Sequence, residues 1–98
     1  MATYIVMFSL TEQGMQNVKD SPSRVEAAKQ AFRSYGAEVK EFYAVMGAQF
    51  DTMFLVEAPN DETVARAVLA VASLGSVRTQ THRAFTESEY RKMIAGLR

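Results

Sequence analysis

An α+β fold, with one antiparallel sheet carrying two helices on one face, is predicted by three features of the sequence. Apolar and β-branched residues alternate or run together over residues 3–10, 37–46, 50–58 and 77–84, as they do in strands of half-buried or central sheets. Between these stretches lie two segments whose apolar residues recur at spacings of three and four, the period of a helix. The resulting order, βαββαβ followed by a short terminal helix, is satisfied by an antiparallel sheet with both helices packed on one side.

The elements follow in order. Residues 3–10 (TYIVMFSL) are apolar on both parities, which suits a central strand covered on two faces. The stretch 11–20 (TEQGMQNVKD) has mixed signals, with room for a short helical turn, and is read as a loop. Pro22 is tolerated in a first helical turn, Ser23 and Glu26 have capping-box spacing, and Val25, Ala28, Phe32 and Tyr35 share a face, so 22–35 is read as a helix stopped by Gly36. Residues 37–46 and 50–58 form a hairpin turned at Gly47, Ala48 and Gln49. Asn60 and Asp61 cap a second helix, 61–74, with Val64, Ala67, Val68 and Val71 as its stripe and Gly75 as its stop. Residues 77–84 (VRTQTHRA) are the last strand, and Thr86 with Glu89 caps a final helix bearing Tyr90, Met93, Ile94 and Leu97.

The chain of 98 residues has room for one core, so 1–98 is read as a single domain. Eleven basic and eleven acidic residues cancel, which removes the long-range field that draws proteins to nucleic acid or anionic membranes. There is no cysteine, hence no disulfide, thiolate ligand or cysteine nucleophile. No apolar run approaches the ~20 residues of a membrane span, and the start of the chain carries no basic leader. A cytoplasmic protein is expected.

On the two central strands one parity holds Tyr4, Phe8, Phe50 and Phe54, and the other Ile5, Met7, Met53 and Leu55. Two helices cover only one face. The first expectation is that the aliphatic parity packs beneath them while the aromatic parity stays bare and pairs with an identical subunit, and the reversed assignment is the alternative.

Over nearly its whole length the chain resembles the GYD domain family. The resemblance is carried by TEQGMQNVKDSPSR at 11–24, the corner from Gly47 to Asp51 running into VEAPNDE, and SLGSVRTQTHRAFTESEY at 73–90. It implies a dimeric α+β barrel, related in architecture to small oxygenases and isomerases, without an established activity. Phe50 stands before Asp51 where the family's name calls for tyrosine, and Ala48 and Gln49 separate that pair from Gly47.

Candidate chemistry is sparse. Asp51, at the mouth of the hairpin, is a candidate general base if an apolar rim raises its pKa, or else a turn-fixing carboxylate. His82 is the one histidine, a second candidate base or a surface residue. Tyr43 is a candidate phenolic donor and Arg78 a fork for a carboxylate, with Phe8 and Phe54 as the walls of a ligand site on the open face. Lys19, Asp20 and Arg24 form a mixed-charge loop, placed to gate a cavity or simply to be solvated. One histidine without cysteine leaves a metal site short of ligands, and isolated glycines offer no phosphate cradle, so neither metal nor cofactor is expected.

The reading these features favour is a homodimer binding a small apolar or aromatic molecule. Its alternatives are a cofactor-independent oxygenase or isomerase of small aromatic substrates, and an RNA-binding sheet using exposed aromatics. The balanced charge and the lack of a basic-aromatic run speak against nucleic acid.

Overall fold

A computed structural model describes residues Met1–Arg98. Strands β1 (Ala2–Leu10), β2 (Glu38–Ala44), β3 (Thr52–Ala58) and β4 (Val77–Ala84) form one antiparallel sheet in the order β2-β3-β1-β4. The long helices α2 (Ser21–Ser34) and α3 (Asp61–Ala72) lie across one face, and α4 (Glu87–Ala95) ends the chain. This is the predicted βαββαβ order with a terminal helix, the topology of the ferredoxin-like fold, with β1 and β3 central. No helix is long and apolar enough to cross a membrane.

Two local readings are corrected. Residues 11–20 are not a loop: Thr11 caps a short helix, α1 (Glu12–Gln16), by accepting from the Gly14 N–H, and a 3-10 turn at Val18–Asp20 leads into α2. The hairpin between β2 and β3 is also wider than its glycine suggested. Both strands end early, and residues 45–51 form a loop closed by the Val45 N–H donating to the Asp51 carbonyl at 2.9 Å.

The larger correction concerns the faces of the sheet. Tyr4, Val6 and Phe8 of β1, with Phe54, Val56 and Ala58 of β3, are the buried parity and pack beneath the helices. Ile5, Met7, Met53 and Leu55 lie on the open face. Volume explains the choice: α2 and α3 offer Ala28, Ala67 and little bulk besides Phe32 and valines, so the sheet must supply large rings to fill the layer between. Phe54 is the hub, with edge-on contacts to Phe8, Phe32 and Phe42 at centroid separations of 4.9, 5.4 and 6.0 Å.

Candidate functional site

Strand register places each polar candidate. Tyr43 of β2 pairs with Met53, which pairs with Met7, which faces Gln80. His82 lies one row along, opposite Ile5, and Arg78 one row the other way, opposite Ser9. Tyr43, Arg78 and His82 therefore share the open face, all exposed at its edges. They do not converge. Tyr43 and His82 stand on the two edge strands, roughly 14 Å apart at ~4.8 Å per strand.

Asp51 is tied into the corner. Its backbone N–H donates to the Phe8 carbonyl and its Oδ2 accepts the Leu10 N–H, both at 2.8 Å. The carboxylate thus extends the β1–β3 ladder past the end of β3, the turn-fixing role. Phe8 and Phe54 lie on the opposite side of the sheet from Tyr43, Arg78 and His82. The six candidates do not assemble into one pocket. No three side chains of His, Cys, Asp or Glu come together as a cation site would require.

Phe8 and Phe54 do line a cavity, but beneath the helices. It lies between α2, the C-terminal end of α3 and the sheet, and has a volume of about 130 Å³. Twelve of its sixteen lining residues are hydrophobic. The rings of Phe8, Phe42 and Phe54 make the floor, while Ala27, Ala28 and Ala31 of α2 form a wall too shallow to fill the space. The remaining four lining residues are Ser21, Arg24, Thr52 and Ser76.

Arg24 is fixed from outside. Its Nη1 donates to the Asn17 carbonyl at 3.0 Å and its Nη2 to the Gly14 carbonyl at 3.3 Å, so α1 and the 3-10 turn position the guanidinium at the cavity. Its sequence signal was the mixed-charge loop. The cavity itself had a fainter one, the alanine-rich face of α2 opposite aromatic strands.

Two groups elsewhere are perturbed. Burial, reinforced by donation from its hydroxyl to the Asp61 Oδ1 at 2.5 Å, raises the Tyr4 phenol above its usual 10.0. The Thr86 N–H, donating to Glu89 at the start of α4, holds that carboxyl below its usual 4.5, with Arg83 adding to the effect. Both are structural contacts outside the cavity.

The topology and bare sheet face define an α+β domain of the ferredoxin-like class. The chain belongs to the GYD domain family, whose sequence profile matches residues 4–94. It is 42% identical over 82 residues, 83% of this chain and 85% of the relative, to a Thermus thermophilus protein named "Glutamine synthetase and cystathionine beta-lyase binding protein". Among solved structures, TTHA0845 from Thermus thermophilus matches with a TM-score of 0.57 at 28% identity, over 88% of this chain and 95% of that one. A feast or famine regulatory protein from M. tuberculosis, complexed with L-methionine, matches with a TM-score of 0.65 at 17% identity, over 88% of this chain and 51% of that one. The second likeness is one of fold alone, and the chain spans about half the length of that regulator.

Proposed function

We propose that this protein is a cytoplasmic homodimer that acts by binding, joined to its partner copy across the open face of the sheet and holding a small apolar molecule on the helix side. The observation that carries the dimer is the apolar surface one copy leaves bare. Ile5, Met7, Met53 and Leu55 occupy the middle of a face that no helix covers. Beyond the sheet, Tyr90, Met93, Ile94 and Leu97 are between 47% and 72% exposed on or just after α4, which barely touches the rest of the chain. The radius of gyration is 14.6 Å, against ~13 Å for a compact domain of about this length. A second copy docked face to face would cover the sheet and bring α4 against something. Twofold pairing is the commonest way in which soluble chains cover such a face.

The enzymatic alternative lacks convergence. Asp51 is committed to the Leu10 amide, and His82 stands alone on an edge strand. The RNA alternative loses its stacking platform, because Tyr4, Phe8 and Phe54, three of the four rings that suggested it, lie under the helices. A second binding reading is favoured by the relative whose name records enzymes as its partners: the dimer's outer surface contacts an enzyme of amino-acid metabolism.

Sedimentation across a dilution series tests the dimer. The wild type should sediment as a dimer at micromolar concentration, and Met53→Lys should shift it to a folded monomer with an unchanged circular-dichroism spectrum. A wild type that stays folded and monomeric throughout would overturn the proposal.

A further inference from the structure

We infer that the helix-side cavity is a site for a small apolar carboxylic acid, its hydrocarbon part held over Phe8, Phe42 and Phe54 and its carboxylate on Arg24. This deepens the ligand-binding part of the reading above and rests on it.

Size fixes the apolar part. A cavity of about 130 Å³ is close to the ~150 Å³ that accommodates benzene in an engineered protein core, so one six-membered ring or a branched chain of similar bulk fills it. The walls are hydrocarbon and aromatic ring, which favour burial of such a group without hydrogen bonds.

Charge fixes the head group. Each of the four polar lining residues, Ser21, Arg24, Thr52 and Ser76, has a side chain that donates hydrogen bonds, and none is acidic. Arg33, Arg66, Arg83 and Arg91 each have an ion pair with a carboxylate of the chain; of the three arginines without one, Arg78 and Arg98 are exposed, and Arg24 alone is partly buried. Two carbonyls take a donor from each of its terminal nitrogens, which leaves donors over from the five that a guanidinium carries. A carboxylate meets such a fork through two parallel bonds. An acid is thereby preferred to an amine, which would face the guanidinium as a like charge, and to a neutral ring, which leaves the guanidinium without an anion.

Titration of the intact protein with phenylacetate and with benzyl alcohol, followed by NMR, tests the assignment. Phenylacetate should bind at least about tenfold tighter than the alcohol, with shifts at Ala28 and Val71, and added salt should narrow that margin. Arg24→Gln should bring phenylacetate affinity down toward that of the alcohol, and Arg24→Lys should restore part of the margin. Ala28→Leu, which fills the cavity, should abolish binding of both. Equal affinities for acid and alcohol in the wild type, both lost in Ala28→Leu, would overturn the role of Arg24 and leave the apolar site standing. Failure of both compounds to shift Ala28 or Val71 would overturn the cavity as a site altogether.

Discussion

Tyr4 is 3% exposed, and its hydroxyl donates to Asp61, the first residue of α3, so one side chain pins the start of that helix to the central strand. Tyr4→Phe should cost about 1.5–3 kcal/mol at neutral pH, the usual worth of a hydrogen bond to a charged group. Because folding raises the phenol's pKa above 10.0, the contribution is fully present below that value and is lost as pH rises through the folded pKa. Urea unfolding of both proteins from neutral pH to alkali should show the gap closing, and a gap that widens would refute the assignment. Gly14 is the other exacting position. A Cβ there would run into the Ser76 carbonyl oxygen, so Gly14→Ala must push α1 off the start of β4, at about 1–3 kcal/mol by the usual cost of overpacking. Since the Gly14 carbonyl also holds Arg24, the same change should weaken acid binding at the cavity, and a variant as stable as the wild type by thermal unfolding would contradict the packing. Neither role was legible in the sequence. A tyrosine in an apolar strand does not reveal a bond to a residue 57 positions away, and an isolated glycine with ordinary dihedral angles gives no turn signal to read.

At the scale of elements, local chemistry was the more legible part. Asn60 caps α3 through the Thr63 N–H, Thr86 and Glu89 form the capping box of α4, and Gly36 follows α2 with φ at 98°, where glycine meets no Cβ penalty. These devices lie within four residues of the ends they fix, so a single sequence displays them. The choice of sheet face was illegible for the opposite reason. Both parities of β1 and β3 are apolar, and which one goes inward is decided by the bulk that α2 and α3 present from far along the chain. The short helix α1 was missed because five residues make too little pattern, whereas its Thr11 cap was there to be read. For α4 the capping box gives a pH prediction. Glu89 titrates below 4.5 in the folded chain, so its support is present above that pH and is lost as pH falls through the folded pKa. Amide exchange in α4 should be faster in Glu89→Gln than in the wild type near neutrality. The two should become alike in acid, and equal rates at neutral pH would refute the contribution of the carboxylate's charge to the cap.

At the scale of the whole molecule, one sheet separates two apolar surfaces, one beneath the helices and one open. Only 12 of 98 residues are buried, and nearly all of them belong to the layer between sheet and helices, so the open face and α4 contribute little to the stability of a lone chain. The open face is therefore the one proposed for a second copy, and the helix side the one proposed for a ligand. Two-sided apolarity was legible in the sequence. It did not place Phe8 and Phe54 on the ligand side and Tyr43, Arg78 and His82 on the other, because that split follows from the parity decision. One methyl-labelled NMR spectrum reads both faces at once, through the methionine methyls of Met7 and Met53 on the open face and the methyls of Ala28 and Val71 at the cavity. Dilution should move the first pair alone, and phenylacetate at constant protein concentration should move chiefly the second. Methionine signals that ignore dilution while phenylacetate shifts Met7 and Met53 directly, with Ala28 and Val71 unmoved, would place the ligand on the open face and contradict the division of the sheet.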